Sequence, residues 1–112
     1  MPFSHPLKPA HATDLIRRMA GRPGFDLCWT KHAKDQMKER DLLVGDILYV
    51  LRCGFILEKG IPATQAGLFR YAMECTTPNS DGRTVRVVII PSTINSVKVI
   101  TVMWRDESRH SG

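Results

Sequence analysis

Residues 44–59, VGDILYVLRCGFILEK, mark the point where the chain changes its period. Val44, Ile47, Leu48 and Leu51 recur at i, i+3, i+4 and i+7, the spacing of a core stripe along one side of an α-helix. Gly54 offers the stop, and a short strand over Phe55–Lys59 begins at once. Upstream, Thr13 or Asp14 caps a short helix over Leu15–Ala20, with Leu15, Ile16 and Met19 as its buried edge and Gly21 as its end. Phe25–Trp29 suits a short strand, and Thr30 serves as N-cap of a charged helix within WTKHAKDQMKERD (29–41). Downstream, Ile61–Gly67 reads as a loop around Pro62. Leu68–Cys75 then alternates Phe69, Tyr71, Met73 and Cys75 against Leu68, Arg70, Ala72 and Glu74, as a half-buried strand does.

TTPNSDG (76–82) is dense in turn residues, Thr84–Ile90 is nearly all β-branched, and PSTIN (91–95) turns the chain into a last strand, Val97–Trp104. Helices first and hairpin-linked strands afterwards define an α+β domain. The expectation is two to three N-terminal helices packed on one face of a mostly antiparallel sheet of four to five strands. One domain fills residues 1–112, with an irregular, proline-rich arm at 1–12 and a polar tail at 106–112.

Composition restricts the class. Hydrophobic residues make up 43% and charged residues 24%, which suits a packed globular chain and excludes a disordered one. The longest apolar run, VVII at 87–90, is far below the ~20 residues a membrane span needs. The N-terminus shows no apolar h-region, so no secretory signal and no membrane partner are expected. Cys28, Cys53 and Cys75 lie far apart and odd in number, the usage of reduced thiols in the cytoplasm. The net charge is +5 and the pI about 9.5, which attracts polyanions without choosing among RNA, DNA and acidic proteins.

On the charged helix, Lys31, Lys34 and Lys38 share one side, and Ala33 and Met37 lie nearly opposite. His32, Gln36 and Arg40, at i, i+4 and i+8, line up beside the apolar pair, at the boundary of core and solvent. Arg70 and Tyr71 are neighbours on a strand and face opposite sides. Arg86 interrupts an apolar strand, either as a solvent-face residue or as a phosphate contact. Lys98 and Thr101 fall on opposite faces of the last strand by parity. Metal chemistry is not expected, since the chain has no H-E-x-x-H and no C-x-x-C, and it has no glycine-rich phosphate loop.

The string KHAKDQMKERDLLVGDILYVLRCGFI (31–56) resembles the hallmark of a bacterial domain-of-unknown-function family with a His-Ala helix. RYAMEC, GRTVRVVII and VKVITVMW resemble that family's strands. TDLIRRMAGR (13–22) is similar to the N-terminus of MqsR toxins, within the RelE-like group of small bacterial ribonucleases. Where the family commonly has Arg-Gly-Ile-Ser, this chain has Arg40-Asp41-Leu42-Leu43. It therefore lacks the usual glycine and serine cap, which points to an altered turn.

The resemblance implies a RelE/MqsR-like fold and a metal-independent endoribonuclease toxin of a type II toxin–antitoxin system. It also implies an RNA substrate, a cognate antitoxin and no cofactor. Under it, His32 is the candidate base or acid, since an imidazole can give or take a proton near neutral pH. Arg40 and Arg70 would stabilise the phosphate, and Tyr71 would donate a hydrogen bond or stack a base. Lys31, Gln36, Arg86, Lys98 and Thr101 would contact RNA. The alternative is a non-catalytic toxin or regulatory module acting on a protein such as DNA gyrase. Oligomeric state has no signature in the sequence.

Overall fold

The computed structural model describes residues 6–92 and 95–109. Helix α1 (Pro9–Ala20) leads into β1 (Asp26–Trp29), α2 (Lys31–Glu39) and α3 (Val44–Cys53). Strands β2 (Phe55–Ile56), β3 (Ile61–Pro62), β4 (Phe69–Thr76), β5 (Thr84–Pro91) and β6 (Ser96–Trp104) follow, and a 3-10 turn spans Arg105–Arg109. The fold is α+β: three helices pack against a mixed, mostly antiparallel sheet ordered β1-β6-β5-β4-β2, with β3 also paired to β4. The sheet has six strands, not four to five, because two dipeptides, β2 and β3, divide one edge of β4 between them. β1 joins β6 in parallel at the opposite edge.

Period-two alternation decides which face is covered. Tyr71 and Met73 of β4, Val85, Val87 and Ile89 of β5, and Val97, Val99 and Val102 of β6 are buried. They meet Ile16 and Met19 of α1, Ala33 of α2, and Ile47, Val50 and Leu51 of α3, all buried in the same core. The residues between them (Arg70, Ala72, Arg86, Val88, Ile90, Lys98) are exposed or half-exposed, so the opposite face is open.

Several boundaries differ from the sequence reading. The arm at 1–12 is helical from Pro9, because proline at the first helical position lacks only a donor that no helix uses. Residues 1–5 of that arm lie outside the described residues. Thr13 is therefore no cap: inside α1, its hydroxyl accepts from the Ile56 N–H at 2.8 Å and ties the helix to β2. Ile61–Pro62, read as loop, pairs with Phe69 and Arg70. The tail forms a 3-10 turn over Arg105–Arg109, within which Glu107 accepts from the Trp104 N–H at 2.7 Å; residues 110–112 lie outside the described residues. Thr93 and Ile94 of the PSTIN turn also lie outside them.

The stripe of α3 is rotated from its expected position. Ile47, Val50 and Leu51 are buried, whereas Val44 is 50% exposed. Asp46 causes the rotation. Its carboxylate is buried and accepts from the Thr77 hydroxyl at 2.8 Å, the Leu43 N–H at 2.9 Å and the Asn79 amide at 3.1 Å. Gly54 ends the helix by close approach: a Cβ there would stand 2.6 Å from the Val50 carbonyl oxygen and 3.0 Å from that of Glu74.

The missing glycine and serine before α3 leave the turn intact. Asp41 itself takes the left-handed conformation, with φ of 54°, and Asp46 caps the Leu43 N–H from within the helix. Asp tolerates this region better than most residues, and glycine occupies it at no steric cost. Asp41→Gly is expected to raise Tm slightly and Asp41→Val to lower it by roughly 5 °C, about 1 kcal/mol of strain, in thermal denaturation followed by circular dichroism.

Candidate functional site

Four strands bring one row of side chains together on the open face. Ile90 is level with Lys98, and Lys98 with Cys28. One step beyond the Tyr71–Ile89 pair, Arg70 comes level with Ile90. Strands lie ~4.8 Å apart, so Arg70 and Lys98 flank Ile90 from backbones roughly 10 Å apart, within joint reach of their long side chains. Both line a cleft of about 470 Å³. Ile90 and Ile100 form its apolar floor, Thr64, Gln65 and Leu68 of the β3–β4 loop one wall, and Cys28, Thr30 and Ser92 its remaining polar groups. The loop is closed by the Ala63 N–H donating to the Leu68 carbonyl at 2.9 Å. Arg70 and Lys98 are exposed and, among the described residues, neither has an ion-pair partner. Two unneutralised cations over an apolar floor, with hydroxyl and amide groups around them, suit a phosphate carrying an uncharged ring.

A bulge in β6 also places Thr101 on the open face, outside the cleft lining. Val88 pairs with Thr101 but Ile89 with Val99, so Ile100 is an extra residue in the ladder. The bulge shifts the parity, and Lys98 and Thr101 share the open face instead of lying on opposite ones. The backbone freed at this edge is satisfied from α2. The Thr30 hydroxyl donates to the Ile100 carbonyl at 3.1 Å while accepting from the Ala33 N–H at 3.0 Å as helix cap.

Gln36 is held by the same edge. It is buried, and its Oε1 accepts from the Val102 N–H at 2.9 Å, so it is a structural bridge rather than an RNA contact. Gln36→Ala strands that amide and is expected to cost about 1–3 kcal/mol in urea denaturation.

The remaining candidates do not converge. Tyr71 lies on the helix-facing side of β4, 2% exposed, under Gly60, where a Cβ would stand 2.7 Å from its ring. Its hydroxyl accepts from the Leu7 N–H at 2.9 Å, and burial raises its pKa. Tyr71 is thus a core residue, with no ring available for stacking a base. Arg40 is engaged at the other end of α2. It donates from Nε to both Glu107 oxygens at 2.9 Å and pairs with Glu39 at 3.0 Å. The Glu107 hydrogen bonds raise the Arg40 pKa and lower that of Glu107, leaving no free cation for a phosphate.

Arg86 shares the open face but stands among acids, 3.4 Å from Glu58 and 4.0 Å from Glu74. Lys31 is exposed and paired to Asp35 at 3.0 Å. His32 is exposed in the first turn of α2, two residues after Thr30, and does not line the cleft. Sequence reasoning missed Cys28, Thr64, Gln65 and Ser92 as cleft residues, because register and loop closure bring them together and no local pattern marks them.

Among the described residues, no helix is long and apolar enough to cross a membrane, and no group of three His, Cys, Asp or Glu side chains is placed to hold a metal ion. The geometry therefore defines a small α+β domain with a cationic cleft on the uncovered face of its sheet. The chain belongs to the family described as Domain of unknown function (DUF4258), whose model matches residues 29–104, from the last residue of β1 to the end of β6. No curated protein and no solved structure matches it.

Proposed function

We propose that this protein is a metal-independent endoribonuclease toxin of a bacterial type II toxin–antitoxin system, related to the MqsR/RelE group, that lays single-stranded RNA across the open face of its sheet. The observation that supports it most is the pairing of Arg70 with Lys98 in one cleft, both without a carboxylate partner among the described residues. In the reaction, a base takes the 2′-OH proton and O2′ bonds to phosphorus. The P–O5′ bond breaks, and an acid protonates the leaving oxygen, giving a 2′,3′-cyclic phosphate and a 5′-hydroxyl. Arg70 and Lys98 stabilise the charge on the phosphorane oxygens. Thr101 lies further along the same face as a polar contact, and His32, exposed in the first turn of α2 two residues after Thr30, is the base or acid. The enzyme works in the cytoplasm under the control of a cognate antitoxin.

Incubating the purified protein, freed of any partner, with single-stranded and structured RNA between about pH 5 and 9 tests this reading. The expected products end in 2′,3′-cyclic phosphates, and His32→Ala lowers the cleavage rate ~10²-fold or more at unchanged Tm. RNA left intact at every pH overturns it.

The dispersal of His32, Arg40 and Tyr71 favours a second reading, a non-catalytic toxin or regulatory module that docks on a target such as DNA gyrase. It predicts growth arrest with DNA damage and intact transcripts, insensitive to His32→Ala.

A further inference from the structure

A second concavity, of about 630 Å³, lies between the C-terminal half of α2 and the start of α3 and shares no residue with the sheet cleft. Trp29, Met37, Leu43 and Val44 give it an apolar lining. Leu43 is 61% and Val44 50% exposed, the consequence of the rotation of α3 about buried Asp46. Two adjacent branched aliphatics held in water in this way are a cost that burial against a partner removes. Lys34 and Lys38, one turn apart on α2, line the same groove. Lys31 on that face has Asp35 for a partner, but Lys34 and Lys38 have none among the described residues. Among the described residues, Asp41 is the one acidic residue in the lining.

We propose that this groove docks an acidic amphipathic helix of a partner protein. The apolar stripe of that helix would cover Leu43 and Val44, and two of its carboxylates, one turn apart, would pair with Lys34 and Lys38. Charge selects this occupant. A second copy of a chain with net charge +5 would bring the same lysines against each other around a two-fold axis, and a basic helix would bury them unpaired. The i, i+4 spacing of the two lysines matches carboxylates at i, i+4 on a helix, the arrangement of helix-in-groove recognition. The proposal stands apart from RNA cleavage, because it uses none of the residues of the sheet cleft.

Two synthetic helices with the same leucine stripe, one flanked by glutamates and one by lysines, provide the test. Binding is measured by fluorescence anisotropy and mapped by amide chemical shifts on the full chain. The expected result is at least ~tenfold tighter binding of the glutamate helix, with shifts confined to residues 34–44 and their neighbours. Lys34→Glu/Lys38→Glu reverses the preference, and binding of the lysine helix shows that this variant is folded. Leu43→Ser/Val44→Ser weakens both helices. Equal binding of the two helices, binding elsewhere, or none overturns the proposal. So does a concentration-dependent dimer abolished by Leu43→Glu, which assigns the groove to a second copy.

Discussion

Replacing Arg70 and Lys98 together by alanine is expected to weaken single-stranded RNA binding about a hundredfold at moderate salt, roughly tenfold per lost phosphate contact. The salt dependence carries the stronger test. Each phosphate neutralised on a single strand contributes ~0.7 to the slope of log K against log salt, so the double variant flattens that slope by ~1.4. Arg86→Ala is expected to change affinity less than ~threefold, because Glu58 and Glu74 already neutralise the guanidinium. Anisotropy titrations over a potassium chloride series read both numbers. An unchanged slope in the double variant would show that RNA, if bound, does not use this cleft. The contrast between Arg70 and Arg86 is informative, since both are arginines on the open face of adjacent strands, Arg70 in the cleft and Arg86 outside it beside Glu58 and Glu74.

Asp46→Ala is expected to cost about 2–4 kcal/mol, the largest stability loss of the variants considered. It removes an acceptor shared by the Leu43 N–H, the Thr77 hydroxyl and the Asn79 amide, which together join the start of α3 to the β4–β5 turn. Asp46→Asn keeps the shape and loses the charge, so its expected loss is smaller, about 1–2 kcal/mol. Burial acts to raise the Asp46 pKa, but the hydrogen bonds from Leu43, Thr77 and Asn79 outweigh it and hold the group below its ordinary value. Because the folded value lies below the unfolded one, the unfolded chain takes up the proton first as pH falls. The stabilisation is complete above the ordinary carboxylate pKa of ~3.9 and is lost as pH falls through the folded value. Glu107 acts in the same direction through its Arg40 hydrogen bonds. Urea denaturation at neutral pH and near pH 3 should therefore show a weaker pH dependence for Asp46→Ala than for the parent chain. Equal dependence would mean that the carboxylate is not held ionised in the folded state.

The period of the sequence carried most of the fold. Stripes at 3.6 residues and alternation at two residues named the charged helix, the second core helix and the three long strands, and Thr30 caps α2 as its side chain requires. Local patterns failed where a side chain was recruited from far away. Thr13 has the chemistry of a cap but bonds to Ile56, Gln36 has that of a surface residue but fills the edge of β6, and Glu107 turns a polar tail into a partner for Arg40.

The site was less legible for the same reason. A strand states which residues share its face, but not which strand lies beside it, and one bulged residue inverts the parity beyond it. The bulge at Ile100 moved Thr101 to the side of Lys98, and the β4–β5–β6 register set Arg70 level with Lys98. The sequence alone determined a basic α+β chain with its helices first and its strands last, because composition and periodicity are local quantities. Only the tertiary structure decided how the cations are paired: among the described residues Arg70 and Lys98 face no acid, whereas Arg40 and Arg86 do. Charge pairing is set by distances across strands and between chain ends, and those distances exist only in the folded chain.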